Sequence, residues 1–550
     1  MRVKKPVALL LALLSSVLVP LALPNEFIAW GSPLLGLVAL VPLFLMVCLA
    51  DSPKTAFWCG AVYGFLFQAL SSFWLWYFKD FRLWTLGSTC LVYFVVYSGL
   101  CAWLSLAAHS APRWRSLLLP IGWVAYEFMK STGFLSFPYG LISYSWNNVL
   151  SFDQLADVTG VYGPSFILAL TNMAFAEAVM FFMEGNRLSV RSFPRRRVLA
   201  LFAMSIACFV LAMSYGTARL SKTNPVSKRF TAIIVQPNED SWSMQSERNR
   251  LLNEMALTRS ALEQLGGKAD VILWTETSID LPYDYENKAG VQHYAVAPSG
   301  SQSLRDFIIQ NGTPFLTGMP HIQSWKPLLL QNAVGLVGAD GELVGSFSKI
   351  HCVPFAEAIP FWEFSWMKRF MGKVVGMDGG WTVGTDYEIF SIPLSSGQRL
   401  SFATPICFEI SYDDECRIFS NLGADALFNL TNVSWSQTVS AEIQHTITAR
   451  YRAIENRKPV VLSTNGGLSC WFDEKGYIHE PLPFFTPASR PITVSTRPEP
   501  RPTIYDLAGN SLALGMVFFF AIFSGAAILY LRFSGRKDLG YGRGVLGERR

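Results

Sequence analysis

Seven apolar runs crowd the first 220 residues, and an eighth, NSLALGMVFFFAIFSGAAILYLRF, occupies 510–533. The seven lie at about 7–23, 27–49, 55–78, 85–108, 115–130, 161–183 and 198–216. A bilayer-crossing helix needs roughly 20 mostly apolar residues, because its backbone must satisfy its own hydrogen bonds across the hydrocarbon. Eight membrane helices are therefore expected. Three runs are short or interrupted by polar residues, which leaves the count open by one. Composition agrees: 51% of the 550 residues are hydrophobic and only 15% charged, a depletion typical of membrane proteins.

The formal net charge of +5 is gathered in short clusters beside the apolar runs. Arg2, Lys4 and Lys5 precede the first, Lys54 follows the second, and Arg113 and Arg115 follow the fourth. Arg187, Arg191, Arg195, Arg196 and Arg197 precede the seventh, and Arg532, Arg536, Lys537 and Arg543 close the chain. Alternating spans put all of these on one face, which the positive-inside rule makes the cytoplasm. The charge thus reads as topology and not as a nucleic-acid surface. The division expected is 1–219 for spans one to seven, 220–508 for an extracytoplasmic domain, 509–533 for the last span and 534–550 for a basic cytoplasmic tail. The first run also resembles a signal peptide; without a small-x-small site near Pro24, retention is the expectation. The nine cysteines show no CxxC pair and no zinc-like spacing, so no disulfide framework is expected.

The outer stretch has another texture. FTAIIVQP, DVILWTET, TPFLTGMP, NAVGLVGADGELVGSFSK, RLSFATPICFEI, DALFNLTNV and PVVLSTNGG read as strands, with turns at ADGE and DEKG. Residues 246–265 and 439–457 read as amphipathic helices. Strands alternating with helices predict an α/β domain.

Three reactive side chains stand at the ends of apolar strands: Glu276 after VILWT, Lys349 after LVGSFS and Cys407 after LSFATPI. Sites collect at such ends. Together they supply a base, a cation for an oxyanion and a thiol nucleophile. Each also has an ordinary explanation: a solvated or capping glutamate, a surface lysine, a buried structural thiol. Cys352 is a competing thiol. The histidines, His351 included, are scattered and suggest no metal site. No GxSxG, HExxH, Walker or dinucleotide motif occurs.

LWTETSID, FSKIHCVPFAEAIPF and PICFEISYDD, in that order, resemble the nitrilase superfamily, whose sites use Glu, Lys and Cys in that chain order on an αββα sandwich. With spans on both sides, the whole chain resembles the apolipoprotein N-acyltransferase family. The resemblance implies a multi-pass α-helical membrane domain plus an α/β nitrilase-like αββα sandwich. It makes Cys407 the nucleophile, Glu276 the general base and Lys349 the oxyanion-stabilising cation. It adds Glu357 and Glu409 as supporting acids. Phe408 stands where some relatives carry Tyr, which keeps an apolar lipid contact and drops any role of that hydroxyl. Trp242 and Glu455 match positions that line or support the pocket; Trp242 also reads as core, and Glu455 as a partner of Arg452 or Arg457.

The activity implied is acyl transfer from a glycerophospholipid, through a Cys407 thioester, to the N-terminal amine of a diacylglyceryl apolipoprotein. It is implied at the periplasmic side of a bacterial inner membrane, by a monomer, without cofactor or nucleic acid. The aromatic stretch IPFWEFSWMKRFMGKVV, 359–375, reads as a lid or lipid guide carrying Phe361, Trp362, Phe364, Trp366 and Phe370, or equally as core packing. Two alternatives remain: a membrane-tethered nitrilase-type amidase, and a transporter, for which Glu127 and Glu177 are the intramembrane charges to examine.

Overall fold

The computed structural model describes residues 2–78, 82–133, 136–184, 193–239, 247–280, 282–287, 290–293, 304–354, 356–358, 361–375, 379–498 and 501–540. Most of the apolar runs become helices, some with proline or glycine inside them, such as Pro20 and Pro120. Among the described residues, five helical stretches are long and apolar enough to cross a membrane: Lys5–Ala22, Arg82–Ser110, Tyr162–Met183, Arg195–Ser221 and Ser511–Tyr530. Pro53–Ser71 and Arg115–Lys130 are helices at the third and fifth runs. The second run is broken into Pro33–Gly36 and Val41–Leu49, each with proline in its first turn, where the missing N–H costs nothing.

Large apolar side chains such as Leu10, Leu91, Val95, Phe182, Leu211 and Ile522 face outward from these helices, as lipid contact requires. Inside, Pro53–Ser71 lies so close to Arg82–Ser110 that a Cβ on Gly64 would stand 2.3 Å from the Tyr93 carbonyl oxygen; small residues permit such approach. Both intramembrane carboxylates are engaged structurally. Glu177 takes Arg115 Nε at 2.8 Å and Arg197 Nη2 at 2.9 Å. Glu127 accepts the Ile142 N–H at 2.7 Å and Trp123 Nε1–H at 3.0 Å.

The remaining chain folds as a nitrilase-like sandwich. One six-stranded sheet runs Ala488–Thr496, Lys228–Gln236, Val271–Leu273, Phe315–Trp325, Leu328–Val337, Leu343–Ser348. The other runs Ile478–His479, Cys470–Phe472, Val460–Thr464, Ala426–Thr431, Arg399–Ala403, Phe390–Pro393. Each has a parallel central trio flanked by antiparallel strands. Ala232, Ile234, Leu273 and Leu316 of the first meet Phe402, Leu427, Phe428 and Leu430 of the second in one core. Ile233, Val235, Ile272 and Trp274 point the other way, onto helices Glu247–Leu265 and Leu304–Asn311. Helices Asp413–Asn421 and Val439–Asn456 cover the second sheet through Cys416, Phe419, Ala449 and Ala453. Burial on both faces explains why these strands read as near-continuous apolar runs.

Every residue from Ser440 to Asn456 is buried, because this helix lies between the sandwich and the membrane half. Its Ile443, Ile447, Tyr451 and Ile454 belong to the same core as the membrane helices. Polar contacts fix the register. The Ser440 N–H donates to Glu26 Oε1 at 2.9 Å, Gln444 Nε2 to the Pro24 and Ser71 carbonyls at 3.1 and 3.0 Å, and the Tyr451 hydroxyl to Asp153 at 2.8 Å.

Candidate active site

Glu276, Lys349 and Cys407 all follow strands of the sandwich. Lys349 comes directly after Leu343–Ser348. Glu276 lies three residues past Val271–Leu273, and Cys407 four past Arg399–Ala403, so the side chains stand on loops beyond the strand ends. Pro405 lacks the N–H a ladder needs, and the chain turns at Cys407 into a short 3₁₀ segment, Cys407–Ser411. Cys407 has φ +49°, a left-handed conformation that costs a non-glycine residue about 1–3 kcal/mol. It lifts the thiol out of the sheet, and Cys407 keeps part of its surface open.

Lys349 is fully buried; its Nζ lies 3.1 Å from Glu276 Oε1 and 2.8 Å from Glu357 Oε1. Burial opposes its charge, but the two carboxylates outweigh that and hold the ammonium well above the usual lysine range. Asn332 Nδ2 donates to the same two oxygens at 2.9 and 3.2 Å. The Asn432 N–H donates to Glu276 Oε2 at 3.0 Å, and the Val353 N–H to Glu357 Oε2 at 2.8 Å. The Cys407 thiol is within hydrogen-bonding reach of Glu276. Burial, then the charge of Glu276, pushes that thiol above its ordinary range, while Lys349 pulls it down. A protonated thiol beside an oriented carboxylate and a buried ammonium is the equipment for concerted deprotonation and attack on a carbonyl.

The strand Phe315–Trp325 presses on this loop. A Cβ on Gly318 would stand 2.3 Å from the Thr277 nitrogen and 2.7 Å from Glu276 Cα, so only glycine lets Glu276 reach its place.

Glu409 binds the lysine segment to the nucleophile turn. Its Oε1 accepts the N–H of Ile350 at 2.5 Å and of His351 at 2.9 Å, and its Oε2 the N–H of Ile406 at 2.7 Å. Glu415 lies beside it, and burial raises both carboxyls well above the usual range. His351 Nδ1 meets Glu415 Oε2 at 2.6 Å. Scattered in sequence, His351, Glu409 and Glu415 bring ligand-type atoms within 4.8 Å of one another, a convergence that spacing does not reveal. Their hydrogen bonds with one another and with the backbone make the cluster an internal brace.

Phe408 turns away from the sandwich into an aromatic cluster with Trp74, Phe137, Tyr139 and Tyr412. Glu455 pairs with Arg452, Oε2 to Nε at 2.7 Å, and accepts the Val161 N–H at 3.1 Å. Arg457 instead binds Asp157 at 2.6 Å. Of the two partners open to Glu455, Arg452 is the one found, at the seam with the membrane half. Trp362 packs against Met367 and Met371, as does Trp84 at the start of a membrane helix, whereas Trp366 is 55% exposed with Phe361 and Phe364. Trp242 lies outside the described residues. Cys352 is buried, and its thiol is pushed up to about 12, first by burial. Asn332 and Asn432 went unnoticed in the sequence; Asn332 is a polar residue inside the strand Leu328–Val337 and Asn432 one just past Ala426–Thr431, the one available signal.

Residues 15–174 match the family model described as apolipoprotein N-acyltransferase N-terminal domain, and 231–489 match carbon-nitrogen hydrolase. Apolipoprotein N-acyltransferase 2 of Treponema denticola is 35% identical over 476 residues, 86% of this chain and 88% of that protein. Apolipoprotein N-acyltransferase 2 of Treponema pallidum is 31% identical over 531 residues, 92% and 93% of the two chains. The crystal structure of Saccharomyces cerevisiae Nit3, a member of branch 10 of the nitrilase superfamily, aligns with 52% of this chain and 94% of its own at 15% identity, with TM-score 0.34.

Proposed function

Because the chain belongs to the apolipoprotein N-acyltransferase family, we propose that it acylates apolipoproteins in two steps through Cys407, with Glu276 and Lys349 as its partners. In the first, Cys407 Sγ attacks an ester carbonyl of a glycerophospholipid as Glu276 takes the thiol proton. Lys349 donates to the oxyanion of the tetrahedral adduct. The glycerol oxygen leaves, takes the proton back from Glu276 and departs as lysophospholipid, leaving an acyl thioester. In the second, the free α-amine of an N-terminal S-diacylglyceryl-cysteine attacks that thioester. Its proton passes through Glu276 to the departing sulfur, giving an amide and restoring the thiol.

The contact of Lys349 with Glu276 and Glu357, beside a partly open Cys407, carries this reading. Glu357 and Glu409 support the machinery by holding Lys349 and the nucleophile turn. The match of residues 15–174 to the membrane domain of N-acyltransferases favours transfer over a tethered amidase. Both substrates are lipid-anchored, and each buried CH₂ is worth roughly 0.8 kcal/mol, so the site must meet them at the bilayer surface. The basic clusters favour an inner membrane with the sandwich on the periplasmic side. Phe408 and the arm carrying Trp362 and Trp366 would then face acyl chains, with Glu455 seating the sandwich over them. One chain supplies every group, so a monomer suffices.

The test is to incubate the membrane-embedded protein with phospholipid vesicles and follow Cys407 by mass spectrometry. An acyl adduct that disappears on adding a diacylglyceryl peptide with a free amine supports the transferase. Loss to water alone points to an amidase, and a fully active Cys407→Ser variant without adduct would overturn both.

A further inference from the structure

A chain of hydrogen bonds reaches the nucleophile from the membrane half. Asn429 Nδ2 donates to the carbonyls of Pro405 at 2.7 Å and Cys407 at 3.0 Å. With its NH₂ so used, its Oδ1 is an acceptor, and His445 Nε2 lies 3.0 Å from it. Nε2 must therefore carry the proton. Burial pushes the His445 imidazole down to about 4, so at neutral pH its Nδ1 is a bare acceptor. The Tyr139 hydroxyl lies 3.1 Å from Nδ1 and is left with one role, donor. Tyr139, Asn429 and His445 are all buried, and the series Tyr139 to His445 to Asn429 to Cys407 is directionally consistent at every link.

The end of this series matters. Cys407 is held at φ +49°, a conformation that persists only where surroundings over-determine it. The Cys407 carbonyl shares a planar trans peptide with the Phe408 N–H, which must point the opposite way. Rotating one rotates the other, and with them the entry of the chain into the Cys407–Ser411 turn. Tyr139 also touches Phe408 edge-on, ring centroids 5.3 Å apart, so the same residue grips the turn twice.

We propose that His445 is a positioning residue for acyl transfer: through Asn429 it fixes the Cys407 carbonyl and with it the nucleophile's backbone, and through Tyr139 it references that turn to the membrane half. The proposal rests on Cys407 being the nucleophile. Without the Tyr139 hydroxyl the imidazole is free to take its other tautomer. That tautomer sets a lone pair against Asn429 Oδ1 and releases the amide from the Cys407 carbonyl.

The experiment uses the full chain in phosphatidylethanolamine–phosphatidylglycerol vesicles. It measures the rate of acyl-Cys407 formation against lipid concentration, with thermal unfolding of each variant. His445→Phe removes the donor; His445→Gln keeps an N–H near the Nε2 position. Expected are a fall of roughly 30-fold in the limiting rate for His445→Phe with KM changed less than about twofold. His445→Gln should stay within about fivefold of the parent, and Tyr139→Phe should fall about three- to tenfold at unchanged unfolding temperature. Equal impairment of folded His445→Phe and His445→Gln, or a parental rate in His445→Phe, overturns the proposal. Should His445→Phe not fold, a parental rate in Tyr139→Phe overturns it alone. Cys407→Ala distinguishes the two levels: full transfer by that variant would remove the proposed mechanism itself, whereas its inactivity beside parental His445 variants removes only the positioning role.

Discussion

Lys349 Nζ and Glu276 Oε1 stand 3.1 Å apart, and the lysine has no exposed surface. The same ammonium reaches Glu357 Oε1 at 2.8 Å, so one cation neutralises two carboxylates. Replacing it by the near-isosteric Met leaves both acids without their cation in a largely buried site. Lys349→Met should destabilise the protein by about 3–5 kcal/mol and lower acyl-enzyme formation about 10²–10³-fold. Lys349→Met/Glu357→Gln should regain much of the stability and none of the activity. Thermal unfolding and adduct formation read the two effects separately.

The pH response follows from the raised thiol of Cys407. Thiolate is scarce at neutral pH, so the proton must pass to Glu276 within the reaction step. Glu276→Gln should lower acylation about 10²–10⁴-fold at pH 7. Its residual rate should then climb about tenfold per pH unit, because hydroxide now makes the thiolate. A pH–rate profile of the two proteins checks this; equal slopes would remove Glu276 as the base.

Gly318 tests the fit behind the base. Gly318→Ala places a methyl against the Glu276 and Thr277 backbone and must push the loop outward. A stability cost of about 1–3 kcal/mol should accompany a fall in the acylation rate of about 10²-fold. The kcat from burst kinetics, corrected for folded fraction, decides it.

Arg452 and Glu455 form a buried pair, the glutamate wholly enclosed. Glu455→Ala strands the guanidinium and should cost about 3–5 kcal/mol. Arg452→Leu/Glu455→Leu should recover most of that loss in thermal unfolding. Continued inactivity of a folded double variant would assign the pair a part in seating the sandwich.

Trp366 is exposed on an arm whose Phe370 meets the Trp84 ring, centroids 5.9 Å apart. Trp366→Ser should raise KM for vesicle-borne donor roughly three- to tenfold with little change in kcat. A short-chain, water-soluble ester should be used as before. Unchanged KM for vesicles would sink the lipid-facing role of the arm.

Glu276, Lys349 and Cys407 were legible in the sequence because each follows an apolar strand and their order matches a known pattern. Their exact stations were not: Glu276 and Cys407 leave the sheet before they act, and Cys407 takes a positive φ that no local residue preference announces. The supporting polar network was hidden for a different reason. His445 meets Tyr139 across 306 residues, and Asn432 meets Glu276 across 156; the first pairing arises only when the membrane half packs on the sandwich, the second only when the two sheets pack on each other. Glu455 carried two local partners, Arg452 and Arg457, and the choice between them was made by Asp157, which claims Arg457. The apolar run at 27–49 looked continuous by hydropathy, but its prolines start two separate helices.

The pairing of Lys228 with Thr496, first residue of a central strand against last residue of the edge strand beside it, has a mechanical consequence. Strands in such a pair lie about 5 Å apart, so the chain enters and leaves the sandwich at nearly one point. The domain hangs from its two helices as from a single hook and is not slung between separate anchors. Covalent bonds alone would let it swing like a pendant over the bilayer. Its aim is held by contacts along the helix Val439–Asn456 and at Arg457, where Glu26, Pro24, Asp153 and Asp157 grip it. Cutting those grips would leave a domain still attached, still folded, and pointed at nothing.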